Sequence, residues 1–278
     1  MKRLFAFFLV FIMLFSVTAY GTEKDCVRVP ALMYHSVDEG HMTTIISVDN
    51  FRKHMEIIRD NGYTPVSLED LVDYVDYGMP LPEKPVIITF DDGYRDNYTN
   101  AFPVLREFGF KATIFAIGSS VGKELYKETV HKIIPHFSYE EAREMIDSKL
   151  IAVQSHSYDM HQRADFESSV TPRESVLRLE GESFSDYVRA LECDITLSKT
   201  LLEAETKKPV IAFAYPRGMY NAVSDYILKK NGIRITMAIS TGANYIKKYD
   251  KNSLYNLHRY NMHNGVSGEQ LLKWLDEE

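Results

Sequence analysis

Three short stretches of this chain carry residue types that can do metal-assisted hydrolysis, and each follows an apolar run. The first is Asp91-Asp92, which closes the run Val86-Ile87-Ile88-Thr89-Phe90 and precedes Gly93-Tyr94. Two adjacent carboxylates raise each other's pKa and are costly together unless a positive charge lies beside them. A divalent cation removes that cost. Successive side chains of a strand point to opposite faces, so both acids can face one ion only if the chain turns at once, and Gly93 permits the turn. The economical division is one ligand and one neighbouring base. The second stretch is His156-Ser157-Tyr158-Asp159-Met160-His161, with imidazoles five positions apart. That spacing fits neither one face of a helix nor one face of a strand, so the chain must leave its strand and curl. A loop turning back can bring both rings to one ion. Two histidines and one carboxylate, with positions left for water, are the donor set of a catalytic zinc or of a non-haem iron site. The third stretch is Leu32-Met33-Tyr34-His35, an apolar run ending in an imidazole.

The elements that must hold these groups alternate. Apolar, β-rich runs at 28–34, 86–90, 112–117, 150–155, 210–214, 233–239 and, more weakly, 255–260 read as seven strands. Apart from the last they are continuously apolar, as strands buried on both faces are. Helical patterns fill the gaps: 49–59 after Ser47, a capping-box start at Ser67-Leu68-Glu69-Asp70, another at Ser138-Tyr139-Glu140-Glu141, a long helix at 182–205 and a last one at 268–275. Gly62, Gly109 and Gly232 fall just past helical runs, where a left-handed cap suits glycine. The alternation predicts an α/β fold, a single-domain, distorted (β/α)7-type barrel over 27–278. In such a barrel working residues stand at the C-terminal ends of strands, which is where Asp91, His156 and His35 fall.

The chain opens with Lys2-Arg3, a short apolar core over 4–17 and small residues up to Gly21, the pattern of a signal peptide over 1–21. The core is shorter than the roughly 20 residues that span a bilayer. Export is expected with either cleavage or an uncleaved N-terminal anchor, and no stable membrane span remains in the mature chain. The placement is secreted or cell-surface. With 32 basic against 39 acidic residues, a net charge of −7 offers no attraction to phosphate backbones, so nucleic acid is excluded as a partner. Two cysteines, Cys26 and Cys193, are too few for a disulfide scaffold or a thiolate metal site.

The run Thr89-Phe90-Asp91-Asp92-Gly93-Tyr94, followed by the histidine pair, resembles the polysaccharide deacetylases of the NodB-homology class, carbohydrate esterase family four. The resemblance implies Asp91 as catalytic base and Asp92, His156 and His161 as ligands of a divalent metal, with zinc favoured and cobalt, nickel or iron as alternatives. The usual histidine pair is four apart. Five apart is similar to the branch acting on exported poly-N-acetylglucosamine in biofilms. In that branch the motif order is circularly permuted, which implies His35 on the first strand as the general acid in place of a late-strand histidine. Leu257-His258-Arg259 is the poorer match. A closed barrel makes the permutation cheap, because first and last strands are neighbours.

The third family motif, an Arg-containing turn, here reads Phe213-Ala214-Tyr215-Pro216-Arg217-Gly218-Met219-Tyr220, with Ala214 where the Arg normally stands. Arg217 is the candidate to replace that function and, by its backbone N–H, to meet an oxyanion. Tyr215 and Tyr94 are the companion substrate contacts. The reading is a metal-dependent hydrolase removing N-acetyl groups from N-acetylglucosamine residues of an extracellular or cell-wall polysaccharide. Two alternatives use the same residues: a catalytically inactive glycan-binding protein on this fold, and a two-histidine, one-carboxylate iron oxygenase. His41, His258 and His263 are read as structural or solvent-facing, Asp159 as a partner of a ligand histidine, and Trp274 as helix-to-barrel packing.

Overall fold

The computed structural model describes residues 25–40, 42–167 and 171–277. The proposed signal peptide and His41 lie outside the described residues. Seven strands build the main sheet: β1 (Ala31–Tyr34), β2 (Pro85–Phe90), β3 (Ala112–Ala116), β4 (Ile151–Ser155), β5 (Ala212–Ala214), β6 (Ile235–Met237) and β7 (Tyr260–Asn261). They run in the order β6-β5-β4-β3-β2-β1-β7, all parallel, with the short strand Thr64–Pro65 beside β2. The sheet curls until the segment before β7 reaches its far edge. Leu257 bridges Met237 while Tyr260 and Asn261 pair with Leu32 and Met33.

Six of the expected strands are present within a few residues of their expected ends, while the weak 255–260 run contributes only Tyr260 to a strand that continues to Asn261. The 28–34 run is interrupted at Pro30, which has no N–H for a ladder, and Cys26–Arg28 instead pairs antiparallel with Tyr245–Lys247. Helices α1 (Val48–Asp60), α2 (Leu68–Tyr77), α3 (Phe102–Phe108), α4 (Tyr139–Asp147), α5 (Phe184–Thr206), α6 (Ala222–Lys230) and α7 (Gly268–Asp276) accompany the strands. Their starts are local chemistry: Ser47 caps α1, and reciprocal capping boxes open α2 at Ser67/Asp70 and α4 at Ser138/Glu141. Among the described residues no helix is long and apolar enough to cross a membrane. Cys26 and Cys193 are unpaired.

The period of two sorts the strands into two apolar clusters. Leu32, Tyr34, Ile88, Phe90, Ile114, Val153, Phe213 and Tyr215 belong to the cluster shared with helices such as α1, α4 and α5. Ala31, Ile87, Phe115, Ala212, Ala214, Ile235 and Met237 belong to the other, closed from below by Leu68, Leu71 and Tyr74 of α2. Trp274 stacks on Tyr260 at 5.0 Å, so α7 does pack on the barrel. Register then fixes the mouth. Tyr34 is paired with Phe90, Phe90 with Ile114 and Ile114 with Val153, so His35 and Asp91 leave their strands side by side and His156 leaves two residues further along, all at the C-terminal end of the sheet.

Candidate metal centre and active site

Asp91 follows Ile87 and Thr89 in the alternation and so points into the barrel, where it is 2% exposed. Its partner there is Arg259, immediately before β7. The guanidinium meets the carboxylate bidentately, Nη1 to Oδ1 at 2.7 Å and Nη2 to Oδ2 at 2.8 Å, and donates through Nε to the Ala238 carbonyl at 2.8 Å. Arg259 is fully buried, with its guanidinium 5.8 Å from the Phe115 ring centre, in a lumen kept open by Ala212 and Ala214. Burial alone would raise the Asp91 carboxyl; Arg259, His156 and His35 outweigh it and hold the group below the usual carboxylate range.

Asp92 has the opposite parity and would point away from the lumen in an extended strand. It adopts φ +72° instead, and Gly93 follows at +82°. These left-handed values swing the Asp92 carboxylate over the mouth, at a cost of order 1–3 kcal/mol for a residue with a Cβ. A side chain at Gly93 would be strained at this φ and crowded, with its Cβ 3.2 Å from both Ala116 and the Phe137 ring. The sequence reading placed the turn at Gly93; it begins one residue earlier.

The histidine loop curls as its spacing requires. His156 leaves β4, Ser157 takes φ +69°, and His161 returns so that the two rings lie 5.2 Å apart between centres. Asp194, buried on α5, holds the curl by accepting the N–H groups of Tyr158 at 2.9 Å and Asp159 at 2.7 Å. Burial, foremost, pushes its carboxyl up to about 6. Asp159 itself pairs with Lys127 at 2.9 Å and accepts from Gln162 at 2.7 Å, so its expected role beside a ligand histidine is replaced by a role on the loop's outer side.

Asp92, His156 and His161 bring one ligand atom each within 4.8 Å of one another. His156 Nε2 lies 3.5 Å and His161 Nε2 3.7 Å from Asp92 Oδ1. Those separations are too long for good hydrogen bonds and near the roughly 3.4 Å that two ligands about 2.1 Å from a tetrahedral zinc would keep. Asp92 Oδ1 is buried with no hydrogen-bond partner among the described residues. His156 Nδ1 donates to the Ala214 carbonyl at 2.8 Å, leaving Nε2 as the lone-pair nitrogen. Burial also holds the His156 imidazole below its ordinary pKa and thus neutral. The donor set therefore fits a divalent cation. Removing the loop's anchor tests this arrangement: Asp194→Ala is expected to weaken metal binding about 10–100-fold, read by chelator competition. Unchanged affinity would show that the curl holds itself.

The remaining residues spread around a cavity of about 410 Å³ whose walls include Asp92, Tyr94, His136, His161, Glu174 and Arg217. The Tyr94 hydroxyl interacts with the Asp92 carboxylate. His35 stands near enough to both Asp91 and Asp92 to lower their carboxyl pKa values. Arg217 lines the cavity in a left-handed turn at φ +57°, but its guanidinium pairs with Glu174 on the rim and not with Asp91. The guanidinium that meets Asp91 is that of Arg259, because barrel closure lays the 259–261 segment beside β1 and puts that side chain into the lumen. Tyr215 is also corrected as a side-chain substrate contact: it is fully buried, with its hydroxyl bonded to Asp225. His258 Nδ1 bonds Ser240 Oγ at 2.8 Å.

Sequence reasoning missed Arg259, Asp194 and His136. An arginine inside a run assigned to a barrel strand was a usable signal for the first, since a charge carried into a barrel demands a partner. Asp194 and His136 carry no such mark. His136 packs against Tyr94 with ring centres 5.1 Å apart, and burial pushes its imidazole down to about 4.

The fold and the cluster at its mouth leave the chemistry open, and the comparisons identify the class. The family model for polysaccharide deacetylases matches residues 78–236. The chain belongs to that family of hydrolytic enzymes. The YxkH protein of Bacillus subtilis (strain 168), which bears a provisional polysaccharide deacetylase name, is 31% identical over 89% of this chain and 75% of its own length. The poly-beta-1,6-N-acetyl-D-glucosamine N-deacetylase of Escherichia coli (strain K12) is 27% identical over 76% of this chain. The match spans about 34% of that larger protein. A solved de-N-acetylase from Aggregatibacter actinomycetemcomitans superposes with a TM-score of 0.76 at 23% identity, covering 89% of this chain and 100% of the other, which shows the shared fold. Membership of a hydrolase family removes the iron-oxygenase alternative.

Proposed function

We propose that this protein is a secreted or cell-surface, metal-dependent N-deacetylase of N-acetylglucosamine units in an extracellular polysaccharide, with poly-N-acetylglucosamine the favoured polymer. The observation that carries the reading is the orphaned, buried Asp92 Oδ1 facing two histidine nitrogens, beside an Asp91 already locked by Arg259. The named activity of the E. coli relative supports the choice of polymer. Residues 1–21 are proposed as the export signal and 27–278 as one catalytic domain.

Asp92, His156 and His161 hold the cation, which when bound supplies Lewis acidity toward water and the acetamide carbonyl. Asp91 takes the proton of the attacking water. Its carboxylate keeps lone pairs beyond the two used by Arg259, and the guanidinium fixes the direction in which they point. The Arg217 N–H faces the oxyanion that develops on the carbonyl. His35, protonated, delivers a proton to the departing nitrogen as the C–N bond breaks, because an amine anion is too poor a leaving group. Acetate and a free glucosamine amine result. Incubation with acetylated β-1,6-glucosamine oligomers should release acetate, stop with a strong chelator and recover with added zinc, cobalt or nickel. Undiminished release from fully chelated protein would sink the metal-dependent reading.

A further inference from the structure

His35 lacks the usual device for aiming a catalytic imidazole. Its Nδ1 is buried, and nothing among the described residues bonds it. The ring must then take its direction from the backbone that carries it, and that backbone is held from one side by a single segment. Asn97 Nδ2 donates to the His35 carbonyl at 2.7 Å and to Asp96 Oδ1 at 2.9 Å. Asp96 in turn accepts the Ser36 hydroxyl at 2.7 Å and the Val37 N–H at 3.0 Å. Asn100 Nδ2 donates to the Val37 carbonyl at 2.8 Å. Asp96 and Asn97 are 8% and 1% exposed, so these bonds are shielded from water and costly to leave unmade. Residues Asn97–Ala101 form a π-helical turn, a strained form that recurs at functional sites. Here it brings Asn97 and Asn100 onto the same partner loop, some sixty residues earlier in the chain.

We propose that Asp96 and Asn97 are positioning residues that clamp residues 35–37 and thereby aim His35 at the scissile nitrogen; this rests on His35 being the general acid. The clamp belongs to the chain segment that carries Asp91 and Asp92. Base, metal ligand and the aim of the acid are thus set within seven residues, from 91 to 97, and any shift of this segment moves all three together. A misplacement of about 1 Å in a catalytic group can cost about 10²-fold in rate.

The test is a double-variant cycle on the full chain with acetylated glucosamine oligomers. Asn97→Ala should lower kcat about 10²-fold while KM and bound metal stay near those of the parent and the melting temperature falls by the few degrees that lost buried bonds cost. In a His35→Ala background the same substitution should cost nothing further, because there is no acid left to misaim. If His35→Ala is crippled and Asn97→Ala costs as much in either background, the clamp is wrong and the acid assignment stands. If His35→Ala keeps full turnover, the acid assignment itself falls and the clamp with it. Should Asn97→Ala not fold, Ser36→Ala removes only one bond of the clamp. It should give a smaller loss that also vanishes in the His35→Ala background, and a loss that persists there overturns the proposal.

Discussion

Asp91→Asn is expected to keep its metal and its affinity for oligosaccharide yet lose on the order of 10²–10⁴ in turnover, the usual size of a general-base contribution. The amide is nearly isosteric but cannot take the proton of the attacking water. Its neighbour sharpens the prediction. Arg259 is fully buried against Asp91, and removing one member of such a pair strands the other charge, at about 3–5 kcal/mol. Arg259→Met should therefore destabilise the fold by about that much, and the double variant Asp91→Asn, Arg259→Met should recover part of it. The pH dependence follows from the same pair. A carboxyl held below its unfolded value contributes stability that is complete above the unfolded pKa of about 3.9 and is lost as pH falls through the folded one. Burial, the largest influence on Asp91, acts upward once Arg259 is gone, and protonation then relieves the stranded carboxylate, so the stability deficit of Arg259→Met against the parent should be largest near neutral pH and shrink as pH falls. Metal analysis, denaturant melts and acid titration check these points. Near-normal turnover of metal-loaded Asp91→Asn would remove it as the base, and a full additive loss in the double variant would deny the pair its coupling.

His35→Ala should depress acetate release from N-acetylglucosamine oligomers by about 10²–10⁴-fold but cost far less on an activated acetate ester. An amine leaves only with a proton, whereas a nitrophenolate leaves without one. His258→Ala should leave both reactions within a few-fold of the parent, because that ring is engaged with Ser240 at 2.8 Å. The comparison separates proton delivery from general damage, since a disturbed metal site would slow both substrates alike. Reversal of the two variants would place the acid on the late strand and widen the substrate proposal to chitin, peptidoglycan and acetylated xylan.

What the sequence determined by itself was everything governed by near neighbours. Continuous apolar runs predict strands buried on both faces, and β2 is buried at all six positions. Ser47, Ser67 and Ser138 mark helix starts because a cap is chemistry over three residues. The paired acids and the five-residue histidine spacing pointed to a turn and a curl, and the chain makes both, through the left-handed Asp92 and Ser157. Only tertiary structure could decide the partners of those groups. Arg259 reaches Asp91 across 168 residues because β7 lies beside β1 in the curled sheet. Asp194 caps a loop 35 and 36 residues earlier because α5 packs against β4. Arg217, nearest in the motif, was drawn instead to Glu174 at the rim. A buried charge is satisfied by whichever opposite charge the fold delivers, and separation along the chain carries no information about that once the strands have closed into a ring.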